Sequence, residues 1–292
     1  MVHAPQTAYY VPHGTHYWPI VGSVGLTTLL VGFASLLNGA DVGSLLMVAG
    51  VVITLVMMFG WFGTVIRESE RGTYNDEVDR SFRMGMGWFI FSEVMFFASF
   101  FGALFYARAF AVPWLGGEGM KGMAHELWPH FQAAWPLLKM PNPSTFSVPH
   151  EAMEAWGIPA LNTMILLSSG ATVTWAHWGL KENNRRHLII GLIATVALGV
   201  LFLVLQGYEY MHAYSALNLK LSSGIYGSTF FMLTGFHGFH VTIGAIMLTV
   251  ILFRSIAGHF TPTHHFAFEA VAWYWHFVDV VWLGLFITVY WL

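Results

Sequence analysis

The sequence contains no cysteine, which removes disulfides, thiolate nucleophiles, iron–sulfur clusters and any copper or zinc site that draws sulfur from cysteine. Charge is almost as scarce. Asp, Glu, Lys and Arg together make up 9% of 292 residues, against about 25% in an ordinary soluble domain, too few to build a water-facing surface. The 12 Lys and Arg residues form no stripe that could follow a phosphate backbone, and the net charge is −3, so nucleic acid is not expected as a partner. What remains is apolar: 56% of residues are hydrophobic and 17% aromatic, with a mean hydropathy of +0.60. That composition makes lipid the main solvent of the chain.

Gaps between charges locate the membrane segments, because a spanning helix needs about 20 mostly apolar residues. The first is Pro19 to Leu37, within residues 1–40 that carry no charge, and the second runs from Val42 to Ile66 after a turn at Asn38-Gly39. Met84 to Ala107 is uncharged apart from Glu93, Ala155 to Leu180 carries no charge, and His187 to Tyr208 carries none before Glu209. Leu221 to Phe253 and Phe266 to Leu292, the latter interrupted by Glu269 and Asp279, complete seven spans of an all-α integral membrane protein. The organisation is then residues 1–66 with spans one and two, an inner loop at 67–83, and residues 84–292 with spans three to seven. A long outer loop covers about 108–157, holding six prolines and one short surface helix near His125 to Lys139.

Seven spans divide the Lys and Arg residues eight to four, which places the N-terminus inside and the C-terminus outside. Trp18, Trp61, Trp88, Trp156, Trp178 and Trp291 fall near span ends, as an interfacial belt requires. No basic region precedes the first apolar stretch, so the start does not read as a cleavable signal peptide. No internal repeat of 20 to 50 residues is visible, which argues against an inverted-repeat transporter.

The ionisable groups inside the spans are the expensive ones. Glu93 lies near mid-membrane, where an ionised carboxylate costs roughly 2.5 to 3.5 kcal/mol, so a neutral, hydrogen-bonded carboxyl joining two helices is expected, with proton exchange the sharper alternative. In span six, Gly, Ser and Thr allow close helix approach, and His237 and His240 share a face three residues apart. Two histidines on one face do not suit a bis-His haem, whose axial ligands come from opposite sides of the iron, so packing and hydrogen bonding are the expected uses. Glu269, Trp273, His276 and Asp279 form one stripe of span seven, with a His276 to Asp279 hydrogen bond as a partly neutralised pair. Glu209, beside Gln206, is placed near the outer interface within reach of water. Arg67 and Arg254, at inner span ends, could hold lipid phosphates, although Arg67-Glu68-Ser69-Glu70-Arg71 reads most simply as a solvated helix end. A proton or small-solute transporter using Glu93, His237 and Asp279 as a relay is the competing functional reading, and a haem-binding membrane anchor is a third.

Several long runs together resemble cytochrome c oxidase subunit III. They are VIRES (Val65 to Ser69), SEVMFF (Ser92 to Phe97), LNTMILLSSG (Leu161 to Gly170), TWAHW (Thr174 to Trp178), YGSTFFMLTGFHGFHV (Tyr226 to Val241) and HHFAFEAVAWYWHFVDVVWL (His264 to Leu283). The resemblance implies a two-helix unit (1–2) and a five-helix bundle (3–7) with a lipid-holding cleft between them. It places Glu93 on the family's carbodiimide-reactive intramembrane carboxyl, and Arg67, Glu68 and Arg254 on positions linked to bound phospholipid. It further implies a subunit with no haem, copper or other cofactor of its own, seated beside subunit I, and with subunit II, of a proton-pumping oxidase whose haem and copper lie in those partners. The implied role is to stabilise subunit I through turnover and to support proton uptake. Seven spans together with VIRES favour the cytochrome c branch over quinol oxidases, and the long outer loop favours a bacterial plasma membrane over the mitochondrial inner membrane.

Overall fold

The computed structural model describes residues 17–119, 122–142 and 146–292. The uncharged start of the chain, Lys121 and Pro143 lie outside them. Helix α1 (Trp18–Leu37) has Pro19 in its first turn, where the missing N–H costs nothing, and a turn through Gly39, at φ +73°, leads into α2 (Val42–Glu70). Helix α3 (Asp76–Tyr106) continues through a π-helical turn (Ala107–Ala111) into α4 (Val112–Leu115). After the short α5 (Met123–Leu127) come α6 (Ile158–Lys181), α7 (Arg185–Ser215), α8 (Gly224–Ala257) and α9 (Phe266–Leu285), with a second π-helical turn at Phe286–Trp291. No strand occurs among the described residues.

The chain divides into two compact units, one up to Met84 and one from Gly85 to Leu292. In the first, α1 and α2 form an antiparallel hairpin whose only buried residues are Gly25 and Gly32 on one helix and Gly43 and Gly50 on the other. Each pair is seven residues apart, two turns, so both fall on one face. A Cβ at Gly32 or Gly50 would meet the backbone of the facing helix, which means that the two helices touch backbone to backbone. Large side chains such as Leu30, Leu45 and Phe59 point outward and are exposed, as expected of surface that meets lipid or another subunit rather than water.

In the second unit α6 packs on α7 and α9, α7 on α8, and α8 on α9, closing a ring of four helices. Its centre is the fully buried Trp275 of α9, whose ring lies against Gly199 of α7 and Gly244 of α8 and whose indole N–H donates to Ser169 Oγ of α6 at 2.8 Å. Two turns on, Trp282 donates to Thr163 Oγ1 at 2.9 Å. Helix α3 joins through edge-on and tilted aromatic contacts, Phe96 against Phe236 and Phe97 against His240 and Phe277.

Among the described residues six helices are long and apolar enough to cross a membrane: α1, α2, α3 with its extension to Leu115, α7, α8 and α9 with its extension. Helix α6 matches them in length at 24 residues but is more polar, because Asn162, Thr163, Ser169, Thr172 and Thr174 face its neighbours. Within segment 67–83 α2 runs through Glu70 and α3 begins at Asp76, eight residues before the expected Met84, so the connection between them is residues 71–75. Asn75 accepts from the Val78 N–H at 3.0 Å, and Asp76, Glu77 and Asp79 suit the positive helix start, so the helix begins in water where charge gaps carry no signal. The short helix of segment 108–157 is Met123–Leu127, and residues 128–139 are not helical.

The glycine contact is testable by paired substitution. Gly50→Val is expected to cost about 1 to 3 kcal/mol through overpacking, whereas Gly63→Val on the same helix, where a Cβ meets open space, should be close to neutral. Thermal unfolding of the two detergent-solubilised variants makes the comparison.

Candidate functional site

Helix α3 delivers Glu93 and helix α8 delivers His240, and their side chains meet, Oε2 to Nε2, at 2.9 Å. The other ring nitrogen, Nδ1, lies 2.6 Å from the Phe236 carbonyl, an oxygen that can only accept, so Nδ1 carries a proton. Nε2 and the carboxyl then bind to each other through one further proton. It sits on the acid, giving two neutral groups, or on the ring, giving an ion pair, and the site has no net charge in either form. Phe96, Phe97 and Tyr274 pack around the imidazole. The arrangement can hold one proton at a defined place and connects two helices across an apolar layer.

His276 and Asp279 repeat the motif less tightly. Thr174 spends its hydroxyl proton on the Gly170 carbonyl at 2.9 Å, so His276 Nε2, at 3.2 Å, is the donor to Thr174 Oγ1. His276 Nδ1 then faces Asp279 Oδ2 at 3.5 Å. A Cβ at position 170 would collide with that carboxylate, so Gly170 leaves the room that Asp279 occupies. Both groups line a groove of about 540 Å³ between α6 and α9. His237 is fully buried and donates from Nε2 to the Val278 carbonyl at 3.2 Å, with its ring against Trp282 and Phe202. Glu93, His237 and Asp279 therefore each have a different partner and do not form the contiguous relay that the transporter reading needs.

The stripe on α9 is also divided. Glu269 turns back toward His265, whose Nε2 lies 3.2 Å from Oε1, and toward His177 of α6, whose Nε2 lies 3.5 Å away. One ligand atom from each of these three side chains falls within 4.8 Å of the others, and this is the one such group among the described residues. Two imidazoles and a carboxylate are a donor set that a divalent transition ion accepts. Sequence reasoning placed Glu269 with His276 and passed over His177; the signal that could have found it was the His265 to Glu269 spacing of four at the start of a helix.

Glu209 does not reach water. It is 2% exposed and accepts from the Tyr290 hydroxyl at 2.6 Å, because the π-helical turn after α9 carries Tyr290 over it. At the helix ends, Arg67 reaches Thr64 Oγ1 at 3.2 Å and is otherwise exposed, and Glu68 accepts from the Tyr74 hydroxyl at 2.8 Å. The Arg254 guanidinium lies 4.6 Å over the Phe260 ring. Arg185, not singled out from sequence, donates to the carbonyls of Ser255 and Ile256 and so covers the end of α8.

Acids and histidines matched inside a cysteine-free helical bundle define a polytopic membrane protein whose ionisable groups face one another across its helices. The family model described as cytochrome c oxidase subunit III matches residues 9–292, and the chain belongs to that family. Over 275 residues, 94% of this chain, it is 44% identical to "Cytochrome c oxidase subunit 3" of Marchantia polymorpha, 43% to that of Drosophila melanogaster and 41% to that of Felis catus, covering 92% to 93% of each. As a member of this family it is a subunit of an oxidoreductase complex of aerobic respiration.

The Glu93–His240 contact can be weighed directly. His240→Ala leaves the carboxyl without its partner and is expected to lower stability by about 1 to 3 kcal/mol. Glu93→Leu combined with His240→Leu should cost less than the sum of the two single changes, and a double-mutant cycle from thermal unfolding measures the difference.

Proposed function

We propose that this chain is the non-redox subunit III of a proton-pumping cytochrome c oxidase, docked on the haem- and copper-bearing subunit I with subunit II nearby, and that it stabilises subunit I through turnover and supports proton uptake. The observation that carries the reading is the family match along nearly the whole chain. The chemistry agrees with it: with no cysteine, the chain lacks thiolate for a copper or iron–sulfur centre, and the acids Glu93 and Asp279 within the helices each lie beside a histidine. The proposal includes seven membrane crossings, with α6 as the more polar seventh, and a two-helix and five-helix grouping. It includes phospholipid held by Arg67, Glu68 and Arg254, since each cation near the phosphate layer contributes about 1 kcal/mol. The N-terminus is assigned to the cytoplasmic side and the C-terminus to the periplasmic side of a bacterial plasma membrane. The long segment 108–157 supports that membrane, while the eukaryotic relatives support the mitochondrial inner membrane as the alternative.

Purification through a tag on this chain tests the assignment: haem and larger membrane subunits should accompany it. In the assembled complex Glu93→Gln should leave oxygen consumption largely intact and change pumping or turnover lifetime only modestly. A haem-free preparation of the chain alone, or complete loss of oxygen consumption in the assembled variant, overturns the reading.

Orientation is open to single-cysteine labelling because the chain has no cysteine of its own. With Glu126→Cys and Glu70→Cys, an impermeant maleimide applied to the outer face should label the first and spare the second. The reverse pattern inverts the topology.

A further inference from the structure

We propose that His177, His265 and Glu269 form a binding site for a divalent transition ion, zinc being the best fit, which clamps the end of α6 to the start of α9. The inference goes beyond the assignment of the chain to its family. It rests on two unmatched imidazole nitrogens that converge on one carboxylate. Nε2 of His177 and Nε2 of His265 have no hydrogen-bond partner among the described residues, although both approach Glu269 Oε1, at 3.5 and 3.2 Å. Buried imidazole nitrogens without partners are costly. A metal ion satisfies all three atoms at once.

The spacing suits that role. Ligands about 2.0 to 2.2 Å from a tetrahedral ion stand about 3.3 to 3.5 Å from one another. The two distances to Glu269 already fall in or close to that range, and all three donors lie within 4.8 Å, so small side-chain rotations complete the geometry. His265 is oriented as a ligand, because its Nδ1 donates to the Thr261 carbonyl at 3.0 Å and leaves the Nε2 lone pair free to face the ion, the arrangement by which metal-ligating histidines are held. The His177 ring is fixed between His265 and Phe268. Imidazole nitrogen selects zinc and its neighbours in the first transition row over magnesium and calcium, which prefer all-oxygen sites.

Position also favours an ion. His177 is the fifth residue from the end of α6, His265 immediately precedes α9 and Glu269 is its fourth residue, so the site lies at the ends of two spans rather than at mid-membrane. The side chains are partly shielded, at 20%, 7% and 12% exposure, which leaves an entry path and a fourth position for water. Zinc has no redox chemistry, so an ion here acts as a structural clamp.

The test uses the intact complex, freed of loosely held metal by a chelator. Wild-type protein should bind one more equivalent of Zn²⁺ than Glu269→Gln or His177→Ala complex, and each variant should lose at least tenfold in affinity at this site, read by competition with a fluorescent zinc indicator. Co²⁺ in place of Zn²⁺ should give visible absorption of a four-coordinate ion that is absent from both variants, and His264→Ala, at the exposed neighbouring histidine, should retain it. Equal stoichiometry and affinity in wild type and variants overturns the proposal, as does a six-coordinate cobalt spectrum in the wild type. If a variant fails to assemble, the wild-type cobalt spectrum alone decides. Haem content, measured in the same preparations, reports separately on whether the chain sits in an oxidase.

Discussion

Hydrocarbon cannot solvate a polar group, and the structure is organised around that constraint. Among the described residues, Glu93 meets His240, Asp279 meets His276 and Glu209 meets the Tyr290 hydroxyl, each a group that can share or supply a proton. In the Glu93–His240 pair one proton lies between the acid and the imidazole, so the pair has zero net charge wherever that proton sits. That pair therefore joins α3 to α8 without bringing an isolated charge into the membrane, where removing one partner is far more damaging than losing an ordinary contact.

The two compact units reach helix contact by different chemistry. The α1–α2 hairpin has no buried side chain larger than hydrogen at its interface and relies on dispersion between closely apposed backbones. The four-helix ring uses bulky aromatics accommodated by glycines and fixed by hydroxyl groups of α6, the least apolar of the long helices. A backbone seam is set by shape alone, whereas indole-to-hydroxyl bonds fix register, since a slide of one residue along α9 separates both tryptophans from their acceptors.

Charge gaps revealed where the apolar segments lie because a single Asp or Lys in hydrocarbon is so unfavourable. They could not reveal helix extending into water, which is why the start of α3 at Asp76 and the helical ends of segment 67–83 were missed. Positions along one helix were legible from spacing, and His276 does stand beside Asp279. Pairings between helices were not, because nothing in the local sequence around Glu93 states that His240, 147 residues later, is its partner. Glu209 was misplaced for the same reason: its burial depends on Tyr290, from the last turn of the chain. The resemblance carried by long motifs supplied the family, which composition alone did not reach.

The position of Trp275 has a consequence for the order of synthesis. The ring that fills the space beside Gly199 and Gly244 belongs to α9, so α6, α7 and α8 are made before the side chain around which they pack, and Ser169, whose hydroxyl donates to the Leu166 carbonyl, gains the indole it accepts from only when α9 arrives. A chain cut short before α9 would keep six of its seven long helices and still lack its keystone.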